Sequence, residues 1–219
     1  MDSHIQLLRK SVEIARAQGR LVPASRALSP FDVMRELNEV GVRFVLVGSY
    51  GMCGWRKQAR SAGRTELVVG KSVVARAARS LTKAFSRLTS GTCGSDCLLH
   101  DRKTGRVAIR VIGAWSPPAS EVMGNALWLA TLSCEYRIPN AAMALVLTHS
   151  NMVSEHVEWA DRYLAASDFI RVVNANDGLG ETGLRNLSSK VSRSHAKDII
   201  ARVRRIRSGG KLGDLTLES

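Results

Sequence analysis

The chain has 219 residues, of which 45% are hydrophobic and 23% charged, and a formal net charge of +13. That composition supports a folded domain with one well-filled core rather than a disordered chain. No apolar run approaches the roughly 20 residues that span a bilayer. The polar start Met1-Asp2-Ser3-His4 lacks the order of a signal peptide, so a cytoplasmic location and no membrane partner are expected.

Apolar residues at Ile5, Leu8, Val12 and Ala15 predict an N-terminal helix ending near Gly19, with a linker through Pro23. Ser29-Pro30 is a helix start, serine as cap and proline at the first helical position, for a helix from Phe31 to Val40. The apolar, β-branched run Phe44–Val47 predicts a buried strand. Gly48-Ser49 then turns into a short helix expected to reach Trp55, and Glu66–Val69 is a second buried strand. Lys71–Phe85 reads as an amphipathic helix, with Arg76, Arg79 and Lys83 on its polar side. Ser90–Ser95 is expected to be a loop, Leu98-Leu99 to start a strand, and Asp101–Gly105 to be a hairpin turn. In the strand Val107–Ile112, alternation puts Val107, Ile109 and Val111 on one face and Ala108, Arg110 and Ile112 on the other. Pro117-Pro118 marks a loop, and Tyr136–Pro139 ends a short strand. Asn140 caps a helix from Ala141 to Thr148, and a longer helix runs from Val153 to Val173. A basic helical segment covers Arg185–Arg207, and the last dozen residues are expected to fray.

The charge is unevenly placed. Residues 51–110 hold 13 Lys/Arg against 3 Asp/Glu, and residues 185–219 hold 9 against 3. Residues 111–184 reverse the balance, with 3 against 8. Such a field attracts polyanions, with RNA expected ahead of DNA, or nucleotides or an acidic protein partner. Trp55 and Trp115 lie near basic segments, where an indole stacks on a base or fills a core edge. Cys93, Cys97 and His100 have loose zinc-like spacing without a second ligand pair, so no zinc is expected. In a reducing compartment the four cysteines are expected to be small fillers rather than disulfides. His149, His156 and His195 lie on predicted helices and read as surface or capping residues, and Ser49 lacks the partners of a hydrolase nucleophile. Glu155, Glu158, Asp161 and Asp168 read as an acidic helix face.

The order strand, Gly48-Ser49 turn, short helix, basic Arg56–Arg60 loop and second strand resembles the core of the DNA polymerase β-like nucleotidyltransferases, in particular their small bacterial members. The resemblance extends from the N-terminal helix to about residue 175. It includes Tyr136-Arg137-Ile138-Pro139 before a helix, and Asp161 with Asp168-Phe169-Ile170 later. It implies an α/β (α+β) fold: a small mixed sheet flanked by helices, with a helical C-terminal part. The expected divisions are an N-terminal helix and linker (1–28), a nucleotidyltransferase-like core (29–139) and a helical part with a basic tail (140–219).

In that family two aspartates one residue apart, and a third acid on a later strand, hold magnesium ions that grip a triphosphate. Here those positions fall on Arg64, Glu66 and Arg110, with Asp96 or Asp101 as the third acid should the strands pair otherwise. Arginine stays protonated and has no acceptor, so it cannot ligate magnesium. The expectation is a pseudoenzyme with no cofactor, or magnesium only if an enzyme survives, with Glu66 as the one remaining catalytic acid. Gly48, Ser49, Arg60, Arg64 and Arg110 would then bind nucleotide or nucleic-acid phosphate without metal. The alternatives are an active metal-dependent nucleotidyltransferase in a toxin–antitoxin-like setting, a basic protein-interaction module, and a site emptied by drift.

Overall fold

In a computed structural model, described for residues 2–18, 28–60, 62–93, 95–131 and 134–213, the chain is a mixed α/β protein. It divides into two compact units, residues 1–54 with 58–139 and residues 55–57 with 140–219. The predicted linker at Pro23 and the predicted frayed end beyond Gly213 lie outside the described residues.

The first unit opens with α1 (Asp2–Ala17) and α2 (Pro30–Glu39). Ser29 starts α2 through a reciprocal capping box: its hydroxyl accepts from the Asp32 amide, and the Asp32 carboxylate accepts from the Ser29 amide. Strand β1 (Phe44–Val47) is wholly buried, as its unbroken apolar run requires, and α3 (Gly48–Gly51) follows directly. That helix is shorter than the predicted one, because turns begin at Met52 and continue through Lys57. Strand β2 (Thr65–Val69) leads through a 3₁₀ turn into α4 (Val74–Ala84). This helix buries Val74, Ala77, Ala78 and Leu81 and leaves Arg76, Arg79 and Lys83 exposed.

Strand β3 (Leu88–Cys93) occupies much of the segment predicted to be a loop. Its Gly, Ser and Thr residues give no apolar alternation, yet β4 (Asp96–Asp101) supplies the ladder that holds it. A turn closed by the Gly105 amide on the Asp101 carbonyl (2.8 Å) leads to β5 (Val107–Gly113). Asp101 is fully buried and salt-bridged to Arg87 (2.8 Å), not an open turn residue. Burial lifts its carboxyl, and bonds from Thr104 with the Arg87 charge outweigh that, so its pKa falls below the usual range.

The sheet order is β1-β2-β5-β4-β3, with β2 and β5 parallel and the other pairs antiparallel. Cys97 in β4 is disulfide-bonded, which overturns the expectation of unpaired fillers at that position; Cys53 and Cys134 are free and buried. After a cis Pro117-Pro118 bond come α5 (Ala119–Gly124) and a hairpin of β6 (Ala126–Ala130) and β7 (Glu135–Pro139). Of these three elements, only the end of β7 was legible beforehand.

The second unit contains α6 (Ala141–Val153), α7 (Trp159–Ala175), α8 (Glu181–Val191) and α9 (Arg193–Arg207). The predicted break between α6 and α7 lies at residues 154–158, later than expected, and Glu155, His156 and Glu158 fall in that connection. His149 is buried, not superficial. Its Nε2 donates to Asp198 Oδ2 (2.6 Å), and Arg202 Nε donates to the same oxygen (2.7 Å). His195 meets His149 edge-on, with ring centroids 5.2 Å apart. Asp168 pairs with Arg56 (3.0 Å) in the interior, so the acidic face read on α7 loses that member.

Asp198 is the counter-charge for a fully buried arginine. Asp198→Ala is expected to cost about 3–5 kcal/mol in denaturant unfolding, because it strands that guanidinium. His195 has a lowered pKa, chiefly through burial and then through His149. Its contribution is therefore complete above the unfolded value of 6.5 and is lost as pH falls through and below that value. Burial raises Asp198, but the bonds from His149 and Arg202 win, so its contribution is lost only at lower, carboxylate pH. Thermal unfolding between pH 7.5 and 5 should show a decline that His195→Gln flattens.

Candidate functional site

The site is built on the parallel pairing of β2 with β5, which sets Glu66 directly opposite Arg110. Neighbours in register point to the same side, so both side chains leave the sheet together. Their flanking residues Leu67, Val111 and Ile109 are fully buried on the other side, while Glu66 and Arg110 remain half-exposed. The split of the Val107–Ile112 strand into an Ile109/Val111 face and an Arg110/Ile112 face is therefore observed. Across β5, Leu98 of β4 opposes Arg110, and Asp96 is two residues away on the same face.

Each arginine at a motif position holds a carboxylate. Arg64 Nε donates to Glu66 Oε1 at 2.8 Å, and Arg110 Nε donates to Asp96 Oδ2 at 2.9 Å. A second nitrogen of Arg110 reaches the same Asp96 oxygen. The arginine side chains are 44% and 39% exposed, so each guanidinium is reachable from solvent while held by its acid. Among the described residues, no group of three or more His, Cys, Asp or Glu side chains is arranged to hold a metal ion.

Gly48, the first residue of α3, supports this arrangement. Its φ is +62°, in the left-handed region, and a Cβ there would lie 1.9 Å from Glu66 Oε2. The Glu66 carboxylate therefore lies directly over the Gly48 backbone, which only glycine permits. Ser49 follows in α3 and is half-buried. Arg60 is located by its backbone amide, which donates to Ser11 Oγ of α1 (3.1 Å). Gly48, Arg64, Glu66 and Arg110 are thus gathered at one place by direct contact or by strand register; Arg60 is tied to α1, and Trp115 is tied by its indole N–H to the Ser95 carbonyl (3.0 Å).

Asp96 was foreseen only as an alternative third acid, and its role as the partner of Arg110 was missed. Counting back from the Asp101–Gly105 turn would have found it, since that hairpin sets Leu98 against Arg110. The apparent loop before Asp96 hid the strand.

No family model and no curated protein matches this chain. Among solved structures, the chain is similar to an antigenic nucleotidyltransferase-like protein from Paracoccidioides brasiliensis. The two share 13% identity over 76% of this chain and 89% of that one, with a TM-score of 0.49. A likeness of that size decides nothing about the site.

The close approach of Gly48 and Glu66 has a direct test. Gly48→Ala should destabilise the protein by at least ~1 kcal/mol, from the left-handed backbone alone. The steric part should disappear in the Gly48→Ala/Glu66→Ala double variant. A double-mutant cycle by urea unfolding reads that coupling.

Proposed function

We propose that the open face around Arg64 and Arg110 binds a phosphate group of a nucleotide or nucleic acid, and that it does so without a magnesium pair. The observation that carries this reading is the β2–β5 register, which sets Arg110 beside Glu66, the acid that holds Arg64, on one sheet face beside the Gly48 turn. A guanidinium has five N–H donors, and in Arg110 the Asp96 carboxylate engages Nε and one terminal nitrogen, so donors remain there for a phosphate oxygen. Gly48 makes room on the same side for the Glu66 carboxylate that holds Arg64. A magnesium pair does not suit the donor set, because Glu66 and Asp96 are each engaged by an arginine whose positive charge opposes a second cation. Glu66 and Asp96 serve here as positioning residues that aim the two guanidinium groups.

The basic surroundings supply the long-range part of the attraction. Exposed Arg76, Arg79 and Lys83 on α4, and exposed Arg102, Lys103 and Arg106 at the β4–β5 turn, add positive charge without a carboxylate of their own in the same element. RNA is the preferred polymeric ligand in this reading, and a nucleotide the simplest.

The test is a thermal-shift titration with ATP and GTP, run in magnesium and in EDTA. Stabilisation is expected in both buffers and should fall steeply with added salt. Arg64→Ala and Arg110→Ala should each weaken binding about 10- to 100-fold, the loss of a charged hydrogen-bonded contact. Stabilisation that requires magnesium and vanishes in Glu66→Gln would replace this reading with a metal-dependent nucleotidyltransferase. No shift in either buffer would overturn it.

A further inference from the structure

The hairpin of β6 and β7 ends in an edge with unusual properties. β6 reads Ala126-Leu127-Trp128-Leu129-Ala130, without a charge, a proline or a glycine. Among the described residues its ladder partner is β7 alone, in a two-stranded sheet. Edge strands are normally blunted by charge, proline or a bulge, because their outward backbone groups can pair with another strand. None of those devices is present here, and the β6–β7 register runs without a shift from Ala126–Pro139 to Ala130–Glu135.

Which backbone groups face outward follows from the turn. The Thr131 amide donates to the Cys134 carbonyl at 2.9 Å, which makes Thr131–Cys134 a hydrogen-bonded pair. Antiparallel pairs alternate, so Leu129–Tyr136 and Leu127–Ile138 are also hydrogen-bonded pairs. Ala126, Trp128 and Ala130 then direct their N–H and C=O groups away from β7. Pro139, which has no N–H, sits opposite Ala126 in a non-bonded pair, where none is needed. Trp128 opposes Arg137 in such a pair, and the Arg137 guanidinium lies 3.9 Å from the indole centroid. That contact holds the ring in place while Trp128 stays 57% exposed.

We infer that β6 is the contact between two copies of this chain, paired antiparallel about a twofold axis at Trp128. The occupant is a second copy because the strand is its own complement. Read in either direction it is Ala-Leu-Trp-Leu-Ala, so a twofold at the centre sets Trp128 opposite Trp128, Leu127 opposite Leu129 and Ala126 opposite Ala130. Every outward residue meets an outward residue, and each such pair exchanges two backbone bonds. No charge is buried and no like charges on β6 oppose one another. The two indoles come together on the exposed face, each backed by its own Arg137. The result is a four-stranded β7-β6-β6-β7 sheet with a self-complementary interface. A contact of this size is at the small end for stable association, so the equilibrium is read at high protein concentration.

Sedimentation of the full chain should show a mass rising with concentration from the 23.8 kDa of one chain to twice that value. Trp128→Lys sets two like charges on the axis and should hold the mass at one chain over the same range. Chemical geometry gives an independent reading. Ala126→Cys and Ala130→Cys chains, mixed and oxidised, should link to each other, since their Cα atoms would be about 5.5 Å apart. Either variant alone should not link, because equal positions would be about 14 Å apart along the strands. A mass of one chain at every concentration overturns the inference. So does a dimer that survives Trp128→Lys and leaves the mixed cysteine pair unlinked. Should Trp128→Lys fail to fold, the cysteine pair decides the question alone.

Discussion

The parallel pairing of β2 with β5 is the constraint on which the candidate site depends. A parallel neighbour cannot be reached by a tight turn, so the chain must leave β2, cross through α4 and return by the β3–β4 hairpin before it enters β5. That route delivers Arg110 beside Glu66 although the two are 44 positions apart in sequence. It also delivers Asp96, because β4 is the antiparallel neighbour that closes the crossover. A one-residue slip in the β2–β5 register would turn Arg110 toward the apolar side and bring a buried valine or isoleucine to the open one. The fully buried row of Leu67, Ile109, Val111 and Leu99 opposes such a slip. The polar face is thus held in register by the apolar face behind it.

Much of this was legible in the sequence, for identifiable reasons. Buried strands with uninterrupted apolar runs, such as Phe44–Val47, carry their own signal, and so does a helix with a Ser-Pro start. Alternation in Val107–Ile112 correctly assigned the two faces because that strand is apolar on one side and mixed on the other. Elements without an intrinsic pattern were not legible. β3 is built of Ser, Gly and Thr and exists as a strand through pairing with β4. β6 is apolar throughout, with exposed, half-buried and buried residues, so no polar face announces it. His149 and Asp198 lie 49 residues apart, and helix packing, not local spacing, makes them a pair.

Two kinds of ionic arrangement in the molecule follow different rules. Arg202, Asp198 and His149 form a network excluded from solvent, where one carboxylate oxygen accepts from both partners. Such groups are costly to desolvate and specify one arrangement of the helices that carry them, since any other leaves a charge uncompensated. The Arg64–Glu66 and Arg110–Asp96 pairs are partly exposed and individually worth little to stability. In the proposed phosphate-binding role that low worth would be an advantage: a guanidinium held lightly by an acid can shift part of its donor fork to a phosphate at small cost.

The distribution of charge separates steering from recognition. Within residues 51–110, each acid is paired with an arginine of the same segment: Glu66 with Arg64, Asp96 with Arg110 and Asp101 with Arg87. Those three pairs are close to neutral, so the excess of 13 basic over 3 acidic residues is carried by the side chains around them. Arg76, Arg79 and Lys83 on α4, with Arg102, Lys103 and Arg106 at the hairpin turn, are exposed and make up much of that excess. An anion approaching this unit would feel that surface first, at distances of a Debye length, and salt would weaken the approach. Specific contact would begin only at short range, where the paired arginines offer oriented donors. Changes to the surface residues should therefore alter association rate and salt dependence, and changes to Arg64 or Arg110 should alter dissociation, because the two sets act over different distances.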